Sequence, residues 1–179
     1  MQILDNLLDE KELNTLSSLL VSRSFPYYFH EDIDYEKSFL EDFCNYGFSH
    51  NFYSRDSEQR SSFFEYVIPI LENISKRLNV EIKKILRVRC VMTTNVGSEH
   101  QNIKHTDIPS EFTNEDVLTA VFYPIESDGN FCYYENDSRY EVEPIANRCI
   151  ILDNTILHHG SNPIKHAKRI VINVNFICK

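Results

Sequence analysis

Apolar side chains near the start of the chain recur at the spacing of a helix face: Ile3, Leu4, Leu7, Leu8, Leu13, Leu16, Leu19 and Leu20. Steps of three and four keep such residues on one side of a 3.6-residue turn, so the pattern predicts an amphipathic helix or helix pair opening the fold. Phe25-Pro26-Tyr27-Tyr28-Phe29 breaks that period, and the acidic stretch over 31–36 predicts an exposed loop. A further helix is expected over 57–77, kinked or divided near Pro69, with Phe63, Phe64, Val67, Ile68, Leu71 and Ile74 as its buried face.

From Ile85 the pattern changes to short β-rich runs at 86–93, 118–123, 131–134, 140–142, 149–152 and 170–177. Asp128-Gly129-Asn130 reads as a turn, and 143–147 ends one strand before the next begins. The resulting expectation is an α+β fold, with N-terminal helices packed on a double-stranded β-helix, a jelly roll of cupin-like architecture. At 179 residues the chain fits a single domain, 1–179, with 1–84 as mainly helical support and 85–179 as the jelly-roll core.

Composition narrows the classes. Hydrophobic residues at 42% and charged residues at 25% are those of an ordinary folded protein. Eighteen Lys and Arg against 27 Asp and Glu give a net charge of −9 without a compensating basic stripe, which disfavours nucleic acid as a partner. The start of the chain lacks a basic and apolar leader, and no apolar run reaches membrane-spanning length, so a soluble, cytoplasmic protein is expected. Cys44, Cys90, Cys132, Cys149 and Cys178 are odd in number and form no Cys-x-x-Cys pair; reduced, mostly buried thiols are expected.

The chemistry concentrates in His105-Thr106-Asp107, His158-His159-Gly160 and Arg169. Residues two apart on an extended segment face the same side, so His105 and Asp107 can share a metal. A histidine from a distant strand would complete a two-His, one-carboxylate set, which leaves the opposite face of the metal open. Neighbouring strand residues face opposite sides, so only one of His158 and His159 can complete the set. Arg169 brings a planar fork suited to a carboxylate. Asn173 lies four residues on, on the same strand face, where it can bond the same anion or serve simply as a strand residue. The remaining histidines, His30, His50, His100 and His166, read as solvated, and Arg87 and Arg89 share a face that either lines the pocket mouth or carries surface ion pairs.

Together His-Thr-Asp, Asn147-Arg148, His-His-Gly-Ser and Arg-Ile-Val-Ile-Asn-Val-Asn-Phe resemble the Fe(II)/2-oxoglutarate-dependent dioxygenases, and among them the small prolyl-hydroxylase-like members. The resemblance covers roughly residues 86–176. It implies Fe(II) as cofactor, 2-oxoglutarate and O₂ as cosubstrates, and hydroxylation with release of succinate and CO₂. His105, Asp107 and His158 (or His159) would bind iron, and Arg169 the far carboxylate of 2-oxoglutarate. Tyr123 resembles a position that offers a hydroxyl to 2-oxoglutarate, although it also fits a core residue beside Phe122. The substrate is left as a protein or peptide residue or a small molecule, with 51–60, 94–104 and 109–116 as candidate contact loops. A cupin-like metal-binding protein without oxygenase activity is the alternative. Oligomeric state stays open.

Overall fold

Helical structure begins where Asp9 and Glu12 cap it. The Asp9 carboxylate accepts the Glu12 N–H at 2.8 Å and the Glu12 carboxylate accepts the Asp9 N–H at 3.0 Å, a capping box that opens α1 (Glu10–Leu20). Ile3 and Leu4, expected in this helix, instead lie in β1 (Gln2–Leu4), paired antiparallel with β9 (Arg148–Asp153). The structure, a computed structural model, describes residues 1–33, 46–98, 100–108, 116–136 and 138–179. Cys44 and residues 34–36 of the acidic stretch lie outside the described residues.

The other elements are β2 (Tyr28–His30), β3 (Gly47–Ser54), β4 (Gln59–Arg60), a 3₁₀ turn (Phe64–Val67), α2 (Ile68–Leu78), β5 (Ile82–Thr94), β6 (Val117–Tyr123), β7 (Phe131–Glu135), β8 (Ser138–Val142), β10 (His158–Gly160) and β11 (Lys168–Cys178). The helix expected over 57–77 therefore starts later, after a strand and a 3₁₀ turn. Pro69 sits in the first turn of α2, where its missing N–H leaves no bond unmade, so it starts the helix rather than kinking it. Ile68 consequently faces solvent, and Ile70 takes its place beside Leu71 and Ile74. The first 84 residues, expected to be mainly helical, also contribute strands to the large sheet.

That sheet runs β1-β9-β6-β11-β5-β3-β2, with β4 paired to β3, and a smaller sheet runs β10-β7-β8; every pairing is antiparallel. The two sheets and the helices form the expected jelly roll. Alternation along β11 divides its two faces. Ile170, Ile172, Val174 and Phe176 join Leu16, Leu20, Val67, Ile70 and Ile74 in the core beneath the helices. Arg169, Val171, Asn173 and Asn175 look the other way, toward the small sheet. Between the sheets, Val121, Tyr123, Phe131, Ile150 and Leu152 pack with Val171 as a second core.

Asn147, at φ 66°, ties the turn before β9 to the connection between β1 and α1. Its side chain accepts the Leu8 N–H at 2.8 Å and donates to the Leu8 carbonyl at 2.9 Å. Cys90, Cys132, Cys149 and Cys178 are free and buried, and burial pushes the Cys90 thiol up to about 12. His50, expected to be solvated, is buried: Nδ1–H donates to the Pro26 carbonyl and Nε2 bonds the Ser61 hydroxyl, both at 2.8 Å.

Two outcomes are expected. Asn147→Ala should lower the urea-unfolding free energy by about 3 kcal/mol, from two buried bonds and the left-handed backbone, with Asn147→Gly less costly. Burial holds the His50 imidazole below its ordinary value, so the unfolded chain takes up that proton first. Its contribution is complete above about pH 6.5 and lost on acidification, so His50→Gln should flatten stability against pH below that point. An unchanged slope would remove His50 from the balance.

Candidate metal and anion site

The segment 101–105 adds to the edge of β10 through bridges at Gln101–Ser161 and His105–His158, the latter closed by two 3.0 Å backbone bonds. This pairing brings His105 against His158, with ring centroids 4.8 Å apart. Asp107 follows two residues later. The ligand atoms of His105, Asp107 and His158 all lie within 4.8 Å of one another. The two Nε2 atoms approach the Asp107 oxygens at 3.8 and 3.7 Å.

The tautomers are fixed from behind. His105 Nδ1 lies 2.8 Å from the Ile103 carbonyl and His158 Nδ1 lies 3.0 Å from the Ile156 carbonyl. A carbonyl only accepts, so each Nδ1 carries the hydrogen and each neutral ring presents a bare Nε2 to Asp107, the form that ligates a metal. His159 faces the other way, with Nδ1–H donating to the Gly160 carbonyl and Nε2 bonded to the Tyr134 hydroxyl at 3.1 Å. Of the adjacent pair, His158 alone joins the cluster.

The Asp107 side chain is only 4% exposed. Burial by itself would raise its carboxyl, but Arg87, His158, His105 and the Asn175 amide outweigh burial and hold it below the ordinary range. Arg87 Nη2 donates to one oxygen at 3.0 Å and Asn175 Nδ2 to the other at 3.1 Å. Arg87 Nε also donates to the Asn175 carbonyl oxygen, and Asn175 reaches Thr119 at 2.8 Å. Asn175 thus serves Asp107, and Arg87, which lines the cavity as one of its two expected placements, pairs with the same carboxylate.

Arg169 lies on the same wall, 5% exposed. Its Nη2 donates to the Tyr123 hydroxyl at 3.1 Å, its Nε has no acceptor, and no described carboxylate pairs with it. Tyr123 is fully buried behind Arg169 in the core between the sheets. The Asn173 side-chain oxygen is likewise buried without a partner. His105, Asp107, His158, Arg169 and Asn173 all line one cavity of about 330 Å³. Arg89, Asn102 and Thr106 add further polar lining, and Ile103, Val121, Phe131 and Val171 the apolar part. The expected loop 94–104 thus reaches the cavity through Asn102, 51–60 forms the β3–β4 hairpin, and 109–115 lies outside the described residues.

This is the fold of the 2OG-Fe(II) oxygenases, and solved structures that share it cover nearly the whole chain. A prolyl hydroxylase from Trichoplax adhaerens, in complex with a hypoxia inducible factor peptide fragment, aligns with a TM-score of 0.66 at 13% identity over 98% of this chain and 82% of its own. An oxidoreductase of the 2OG-Fe(II) oxygenase family from Burkholderia pseudomallei gives 0.67 at 9% identity, over 98% and 82%. HygX from Streptomyces hygroscopicus, with nickel and 2-oxoglutarate bound, gives 0.63 at 9% over 98% and 81%. No protein-family model and no curated protein matches the sequence.

A buried guanidinium without a carboxylate is costly to keep. Arg169→Met should therefore stabilise the ligand-free protein, by about 1–3 kcal/mol in urea unfolding. Destabilisation instead would mean that the bond to Tyr123 outweighs the buried charge.

Proposed function

We propose that the protein is an Fe(II)- and 2-oxoglutarate-dependent dioxygenase that hydroxylates its substrate. The carrying observation is that one cavity holds a His-Asp-His set around a buried carboxylate, with both imidazoles in the ligating tautomer, and a buried arginine with no carboxylate partner among the described residues. His105, Asp107 and His158 fit the metal: a doubly bonded carboxylate and two bare Nε2 atoms make a three-donor face that leaves the rest of the coordination sphere open. Arg169 fits the far carboxylate of 2-oxoglutarate, with Asn173 beside it and Tyr123 bracing it from behind.

When bound, Fe(II) and 2-oxoglutarate supply the O₂-dependent oxidation that places one oxygen atom on the substrate and the other in succinate, with loss of CO₂. The chain's own residues do the rest. Arg87 and Asn175 keep Asp107 ionised and oriented, the Ile103 and Ile156 carbonyls keep the imidazoles turned, and Val121, Phe131 and Val171 keep water from the floor of the cavity. Substrate enters past Asn102 and Thr106, and is a protein or peptide residue or a small molecule. The soluble, cytoplasmic setting expected from sequence is part of this proposal; no described helix is long and apolar enough to cross a membrane.

The test is anaerobic titration of Fe(II)-loaded protein with 2-oxoglutarate, following the weak visible charge-transfer band of bidentate chelation. His105→Ala, Asp107→Ala and His158→Ala should each lose iron, whereas His159→Ala should retain it. Arg169→Ala should keep iron and weaken 2-oxoglutarate by about a hundredfold, the loss of a paired charge-assisted contact. Absence of the band with iron bound would leave a cupin-like metal protein without oxygenase activity.

A further inference from the structure

Only four glycines occur in the chain, and two of them press on Arg169. A Cβ on Gly160 would stand 3.0, 3.1 and 3.2 Å from Nη1, Nη2 and Cζ of that arginine, and nothing else lies nearer. A Cβ on Gly129 would stand 2.8 Å from Arg169 Cδ and would collide with the Ser161 carbonyl oxygen. Neither glycine has a positive φ, so backbone freedom is not what requires them; the space is. On its opposite side the guanidinium meets Tyr123, whose hydroxyl accepts at 3.1 Å and whose ring centroid is 5.4 Å from Cζ. Arg169 is therefore held between the small sheet and β6, with no slack on the β10 side.

Gly160 is also two residues from His158 on the same three-residue strand. One rigid piece of backbone, paired to β7 and to the 101–105 segment, thus carries a ligand of the candidate metal set and the wall behind the anion anchor. The span between those two points cannot adjust by moving one without the other. We infer that Gly160, supported by Gly129, is a positioning residue that seats the Arg169 guanidinium and so fixes the length of 2-oxo diacid the site accepts. This rests on the dioxygenase reading given above.

The experiment compares the holoprotein and its Gly160→Ala variant for Fe(II) retention, for anaerobic binding of 2-oxoglutarate, and for binding of the 2-oxo diacids one carbon shorter and one carbon longer. Iron retention should match the parent, 2-oxoglutarate should weaken by about tenfold as one charge-assisted contact is misaligned, and the preference over the two homologues should fall with it. A general loss of stability would not change that preference. In an Arg169→Lys background, which lacks the planar fork, Gly160→Ala should cause no further loss, because the two changes act on one contact.

Equal 2-oxoglutarate affinity and unchanged length preference in Gly160→Ala would overturn the inference while leaving the dioxygenase reading intact. Failure of the parent holoprotein to bind any of the three acids would overturn both. Should Gly160→Ala not fold, the Arg169→Lys, Gly160→Ala pair decides: folding of the pair supports a contact with the guanidinium, and its failure assigns the glycine to the backbone alone.

Discussion

Asp107 is a carboxylate kept ionised where water scarcely reaches, and the arrangement of both sheets follows from how that is done. An uncompensated buried carboxylate would cost several kcal/mol. Here each oxygen has a donor, and the donors come from the middle of the large sheet: Arg87 from β5 and Asn175 from β11, itself held by Thr119 of β6. The segment that carries Asp107 is meanwhile joined to the small sheet through the His105–His158 bridge. One short stretch of chain therefore links the two sheets and places a donor set in the gap between them. Elsewhere the same gap is filled by apolar side chains, which keep it dry.

Arg169 is the opposite case in the same cavity. Asp107 has its charge answered by the protein; Arg169 has a hydroxyl and an aromatic ring, and no described carboxylate. Ordinary folding would place an acid beside it or replace it with an apolar residue of similar size. On the proposed reading, the buried cation is kept for an anion that arrives later, and some stability is given up for it. The contrast between the two charges, a few strands apart, separates what the fold completes by itself from what it leaves for a ligand.

The strands of the C-terminal half were legible as short β-rich runs bounded by polar turns: 118–123, 149–152 and 170–177 each appear within a longer observed strand. The placement of His105, Asp107 and Arg169 around one cavity was also legible, since a two-residue spacing and the start of an apolar run are local signals. Partner identity was not. That Asn175 serves Asp107 depends on which residues of β5, β6 and β11 stand opposite one another, and register between strands separated by tens of residues leaves no mark in either strand alone. The early strands failed for another reason. Ile3 and Leu4 fit a helical period as well as they fit β1, and only the exposed edge of β9 decides the matter. Pro69 carried a clear signal, since a proline followed by helix-forming residues marks a helix start, and the spacing of Phe63 and Phe64 masked it.

The donor set alone does not select iron. Two imidazoles and a carboxylate bind the first-row divalent metals in the usual order, in which nickel and copper exceed iron, so affinity would fill such a site with whichever metal is available. What distinguishes the iron reading is the rest of the cavity. A closed four-donor site would hold a metal structurally and need no anion anchor. Three donors on one side with Arg169 on the adjoining wall leave room for a ligand that touches the metal and the guanidinium together, and a 2-oxo diacid has donor groups at both ends. On the proposed reading, the anchor decides which acid enters and the metal decides whether oxygen is used.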